Sequence, residues 1–175
     1  MIPMVFIVLR PKPLANTLGG IDILVNNAGV GDFGSIEEMP SETWEQVIKT
    51  NLFGVYYTAK AVYPFLKEKG QGDIVNVAST AGLKGGPNMS AYAASKAAVV
   101  SLSQSMMAEW RKQNIRVITL TPSTIASEMS INGGLTDGNP DKVLQPEDFA
   151  EWVRDILKMN RRAMIANASI FSTNP

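Results

Sequence analysis

The chain has 175 residues, 45% hydrophobic and 18% charged, a balance that suits one globular domain with its own core. Its 16 basic and 16 acidic side chains cancel, which leaves no electrostatic case for nucleic acid or an anionic membrane as the main partner. Cysteine and histidine are both absent, so disulfides, thiol nucleophiles, zinc–sulfur sites and the commonest general base are excluded, and acid–base chemistry falls to Tyr, Lys, Asp or Glu.

In chain order, the apolar run Met4–Leu9 is too short to span a bilayer and lacks the flanks of a secretory signal, which makes a cytoplasmic protein the expectation. Ile21–Asn27 is a continuous apolar run, as expected of a strand buried on both faces. From about Glu42 to Lys69, Trp44, Val47, Ile48, Leu52, Val55, Tyr56 and Ala59 recur at helical spacing, with Ser41 placed to cap the start and Gly70 to end it. Asp73–Val77 reads as a second strand, Ala91–Lys112 as a second helix and Arg116–Leu120 as a third strand. A loop over 123–145 follows. Pro146 then opens a third helix at its favoured first position, and a last short strand is expected near Ala163–Ala168. Strands alternating with helices point to a parallel α/β sheet in a single domain over 1–175.

Ligands bind such sheets beyond the carboxyl ends of the strands. Three strand ends carry polar or small residues there: Asn26-Asn27-Ala28-Gly29, Ala78-Ser79-Thr80 and Thr121-Pro122-Ser123. Tyr92 and Lys96, four residues apart at the start of the second helix, share one helix face. A phenol titrates near 10, and a neighbouring ammonium is expected to lower that value, which suits proton exchange with a carbonyl or alcohol oxygen. Ser79, at the mouth of the adjacent strand, is placed to orient the same oxygen.

Ser79, followed thirteen residues later by Tyr92-Ala-Ala-Ser-Lys96 and preceded by Asn26-Asn27-Ala28-Gly29 and Asn51, resembles the short-chain dehydrogenase/reductase family, nearest to its 3-oxoacyl-acyl-carrier-protein reductases. The similarity runs from about Ala15 to Pro175, and 1–14 are atypical. The resemblance implies a Rossmann-like parallel sheet with flanking helices, here lacking the first strands and the glycine-rich turn, because only 25 residues precede Asn26. It implies catalytic roles for Asn51, Ser79, Tyr92 and Lys96: Tyr92 as general acid/base, Ser79 holding the carbonyl, Lys96 tuning Tyr92 and binding the nicotinamide ribose, and Asn51 holding a water in a proton relay. For the cofactor, NADP or NAD, it implies Asn27, Ala28 and Gly29 near the adenosine side, Pro122 and Ile125 beside the nicotinamide, and Asn51, Tyr92 and Lys96 at the same site.

Ser123 stands where relatives have glycine, and its side chain adds bulk there. The implied partners are a small carbonyl or alcohol substrate and further copies of the chain, as a dimer or tetramer through the two long helices. Without a first strand, Ile21–Asn27 becomes an exposed apolar edge, at which Met4–Leu9 could pair. Two functions stay open: an NAD(P)-dependent ketone–alcohol oxidoreductase, or a truncated non-catalytic chain that keeps the substrate half and the oligomer interface.

Overall fold

The computed structural model describes residues 11–173. A short helix α1 (Pro11–Leu18) leads into strand β1 (Ile23–Asn26). Helix α2 (Ser41–Ile48) passes through a π-helical turn (Lys49–Phe53) into α3 (Gly54–Lys69), and strand β2 (Gly72–Val77) follows. Helix α4 (Ser90–Trp110) and strand β3 (Ile115–Pro122) come next, then the short helix α5 (Glu128–Asn132), helix α6 (Pro146–Lys158) and strand β4 (Asn167–Ile170).

The four strands form one parallel sheet in the order β1-β2-β3-β4. The two central strands are buried along their whole length, as strands covered on both faces are. Successive side chains point to opposite faces. Ile74 and Val117 therefore meet Ala59, Val62 and Leu66 of α3 and Met106 of α4 on one side. On the other side Val75, Ile118 and Leu120 meet Ile156 of α6. Gly70, at φ 72°, closes α3 in the left-handed conformation that glycine adopts without strain.

The edge expected at the first strand is there, and it overturns the burial on both faces expected of Ile21–Asn27, since only Asn26 of β1 is buried. No strand pairs with the outer side of β1 among the described residues, and Ile23 and Val25 remain 46% and 44% exposed. Met4–Leu9, the candidate partner for that edge, lies outside the described residues.

Four expectations need correction. The long helix is interrupted by the π turn, whose extra residue brings Asn51 fully inside. Ser41 is the first helical residue rather than the cap, a position taken by Pro40 without a side-chain hydrogen bond. The 123–145 segment contains α5, capped by reciprocal hydrogen bonds between Ser127 and Ser130. The last strand begins at Asn167, not Ala163, because Met164 and Ile165 pack against the α6 cluster instead of extending the ladder.

Two polar networks bind these layers. Thr58 Oγ1 donates to Asn26 Oδ1 (2.6 Å), Asn26 Nδ2 to Asn76 Oδ1 (2.8 Å) and Asn76 Nδ2 to Ser103 Oγ (2.9 Å), which joins α3, β1, β2 and α4. At the opposite end of the strands Asp73 receives two guanidinium groups. Arg116 is bidentate at 2.7 and 2.9 Å, and Arg161 Nη1 lies 3.1 and 3.2 Å from the two carboxylate oxygens.

Candidate active site

The carboxyl ends of all four strands face one cleft of about 1230 Å³. Asn27 and Gly29 reach it from the end of β1, Ser79 from the end of β2, Tyr92 and Lys96 from the first turns of α4, and Pro122 and Ile125 from the end of β3. Seven of the sequence-derived positions thus line one space. Ala28 is exposed beside it but not on its lining, and Asn51 is buried behind it.

Ser79 sits in extended backbone between β2 and a 3-10 turn (Thr80–Gly82), and its hydroxyl accepts from Ala81 N at 3.1 Å. Lys96 is 5% exposed. Its Nζ donates to Val77 O at 2.9 Å and lies 5.6 Å from the centre of the Tyr92 ring. Burial lowers Lys96 from 10.5 to about 8. Burial also pushes Tyr92 above its ordinary 10.0, with the neighbouring Ser79 hydroxyl opposing part of the shift. The lowering of Tyr92 expected from Lys96 does not prevail: desolvation of the phenolate dominates, while the ammonium gives one of its N–H groups to Val77 O.

A pH dependence of stability follows. The unfolded chain holds its Lys96 proton up to about 10.5, whereas the folded chain loses it near 8. Keeping that charge buried costs the folded state roughly 3 kcal/mol below the lower value. Stability contributed by this group should accordingly rise between pH 8 and pH 10, above which Tyr92 opposes it by keeping a proton that the unfolded phenol releases. Denaturant titrations across this window should show the rise in the native chain and a flatter profile in Lys96→Met. Equal profiles would contradict the assignment.

Asn51 has its side chain fully engaged. Val30 N donates to Oδ1 (2.9 Å), and Nδ2 donates to Val30 O (2.9 Å) and to Ser95 Oγ (3.0 Å). Ser95 in turn donates to Tyr92 O at 2.7 Å. The loop after β1, the π turn and the start of α4 are thereby tied together.

Three neighbours escaped the sequence reading. Ser95 lies inside the Tyr92–Lys96 motif, where spacing alone gives it no role, and it bridges Asn51 to Tyr92 O. Phe33 tilts its ring against Tyr92 (5.8 Å between centroids) and lies in a slot between Gly31 and Gly133, where an added Cβ would stand 2.8 Å from the ring in each case. Gly82 is pressed against α4, so that an added Cβ would lie 2.6 Å from the Lys96 carbonyl carbon and 2.8 Å from Ala97 N. Backbone atoms cannot give way there, so Gly82→Ala must move the Ser79 turn off the helix. A loss of about 1–3 kcal/mol in denaturant unfolding is expected. Unchanged stability would show that the turn tolerates the methyl group.

The residues suit the nicotinamide–ribose end of a dinucleotide. Lys96 Nζ has donors left after Val77 O, for vicinal hydroxyls. Gly29 leaves open a space that a Cβ would fill at 3.3 Å from Asn51 Oδ1 and 3.4 Å from Lys96 Nζ. Among the described residues, no glycine-rich turn connects a strand to a helix start ahead of β1.

Residues 12–137 match the family model for short chain dehydrogenase. The chain is 39% identical over 154 residues to an inactive 2-(S)-hydroxypropyl-CoM dehydrogenase 2 of Xanthobacter autotrophicus, covering 88% of this chain and 66% of the relative. It is 36% identical over 119 residues to a 3-oxoacyl-[acyl-carrier-protein] reductase of Vibrio cholerae, covering 68% and 49%. Among solved structures, an alcohol dehydrogenase of the archaeon Thermococcus sibiricus, complexed with 5-hydroxy-NADP, superposes with a TM-score of 0.83 at 28% identity, over 94% of this chain and 68% of that one. The chain thus spans about half to two thirds of the length of these two curated relatives. With its Rossmann-like parallel sheet and the match across most of its length, the chain belongs to the short-chain dehydrogenase family.

Proposed function

We propose that this site interconverts a ketone and a secondary alcohol with NADP or NAD, working as a reductase with Tyr92 as the general acid. The observation that carries the reading is the convergence of Ser79, Tyr92 and Lys96 in one cleft, with Tyr92 half-buried and its phenol kept protonated by desolvation. A neutral phenol is the form that donates. Ser79 orients the substrate oxygen, and the Tyr92 hydroxyl gives its proton to that oxygen as the carbon is reduced. The dinucleotide, when bound, supplies the hydride.

Lys96 stabilises the phenolate left on Tyr92 and offers its remaining N–H groups to the ribose hydroxyls. Asn27 and Gly29 border the cofactor on the β1 side, with Ala28 between them, and Pro122 and Ile125 border it on the β3 side. Asn51 positions the loop after β1 through Val30 and the start of α4 through Ser95, and holds the water of the proton relay in this reading. Assembly as a homo-oligomer is part of the reading, supported by the exposed aromatic face of Phe53, Tyr56 and Tyr57 at the start of α3.

The outer side of β1, which no strand pairs among the described residues, favours a second reading, in which the chain binds a ketone but not the dinucleotide. The test is a titration with NADPH and NADH followed by nicotinamide fluorescence, then ketone reduction at saturation. Saturable binding with turnover is expected. Binding of neither dinucleotide would establish the second reading for this chain.

A further inference from the structure

The chemistry of the cleft wall narrows the substrate further, given the reading that a carbonyl is held at Ser79 and Tyr92. We propose that this ketone is uncharged and carries a hydrocarbon substituent, which lies against a wall formed by Phe33, Leu83, Met89, Met129 and Leu135.

These side chains come from four separate segments yet border the one cleft that contains Tyr92. Phe33 is in contact with the Tyr92 ring, and Met129 Sδ and the Phe33 ring both lie about 3 Å from where a Gly31 Cβ would stand, so this part of the wall adjoins the reacting group. Leu83 and Leu135 are 52% and 44% exposed. Large apolar surface left open inside a cleft is surface that a hydrocarbon group would remove from water. Two methionines give the wall an adaptable, polarizable face that suits chains of varied shape better than one rigid ring.

The charges point the same way. Lys84, Lys96 and Glu128 are the charged residues of the lining. Lys96 is buried and directed at Val77 O, while Lys84 and Glu128 are exposed and of opposite sign. No arginine lines the cleft among the described residues, so there is no planar fork to grip a carboxylate or phosphate. Such a group pressed against this wall would be desolvated with only the solvent-exposed Lys84 ammonium of the lining to meet it. A polyol fares little better. The wall side chains offer its hydroxyls nothing, and Ser127 and Ser130, which also line the cleft, are spent on capping α5. Besides Ser79 and Tyr92, the other hydroxyls of the lining, those of Thr80, Ser123 and Thr124, stand at the β2 and β3 ends rather than in the wall.

The test is binding of 2-octanone, acetoacetate and fructose to the full chain without dinucleotide, by saturation-transfer NMR titration. The Kd for 2-octanone is expected to be lower than for either polar ketone by about ten-fold or more. Leu83→Asp and Leu135→Asp, at exposed positions where folding tolerates the change, should each weaken 2-octanone by a similar factor. Acetoacetate or fructose binding as tightly as 2-octanone, no saturable binding of 2-octanone, or no effect of the leucine variants would each overturn the proposal. No dinucleotide and no turnover enter these titrations, so their failure would leave the redox reading standing on its own test. Failure of turnover would likewise leave the wall's preference intact.

Discussion

Replacing Asp73 with alanine is expected to destabilise the protein by about 3–5 kcal/mol, the range for removing one partner of a buried ion pair. The carboxylate is 7% exposed at its side chain and Arg116 is 6% exposed, so water cannot replace what is lost. Arg116 also donates to the carbonyl oxygens of Met159 (3.1 Å) and Leu157 (3.1 Å), and Arg161 to those of Gly72 (3.0 Å) and Asn114 (2.7 Å). Without Asp73, two guanidinium groups stay anchored by carbonyls with no counter-charge between them.

The effect is non-additive by construction. Asp73→Ala combined with Arg116→Met should lose less than the sum of the single variants, because the second change removes a charge that the first has stranded. Denaturant unfolding checks both statements, and a loss below about 1 kcal/mol for Asp73→Ala would show that the network is solvated rather than buried. Asp73 lies at the opposite end of β2 from Ser79, so the damage should appear in stability rather than in the geometry of the cleft.

None of that network could be read from the sequence. Asp73 opens an apolar strand and looks like its polar boundary, while Arg116 opens the next. The contact depends on the register that sets Asp73 opposite Arg116, and on Arg161, which lies 88 residues along the chain. The strands and long helices were legible because short apolar stretches between turn residues mark strands and an amphipathic helix leaves a periodic apolar pattern. The apolar run at β1 nonetheless did not report burial, since its edge leaves Ile23 and Val25 exposed. The π turn left no such mark. One additional residue in a turn shifts which side chain points inward without altering the composition around it, and that shift is what buries Asn51. Helix α5 is five residues long, too short for a periodic signal, and its only sequence trace is the pair Ser127 and Ser130.

The site divides in a similar way. Ser79, Tyr92 and Lys96 stood out because their spacing is a local fact, and the strand ends placed them in one region. The direction of the Tyr92 shift did not follow from spacing. It depends on how far the phenol is withdrawn from water and on where the Lys96 ammonium turns, both set by packing. Gly82 and Phe33 were equally hidden, since the demand on each comes from a segment remote in sequence: α4 against Gly82, and Gly133 beside Phe33.

The second large effect is on chemistry. Tyr92→Phe removes one hydroxyl and leaves the ring against Phe33 and above Lys96, so fold and dinucleotide binding should persist while proton donation to the substrate oxygen is lost. General acid catalysis of this kind contributes about 10²–10⁴-fold, and the rate of ketone reduction should fall by that factor. The decisive measurement is the reduction rate of the native chain and of Tyr92→Phe, compared at dinucleotide and ketone concentrations that saturate both. A fall of at least about 100-fold with unchanged dinucleotide affinity is the predicted result. Turnover by Tyr92→Phe within a few-fold of the native rate would contradict the assignment of the proton donor.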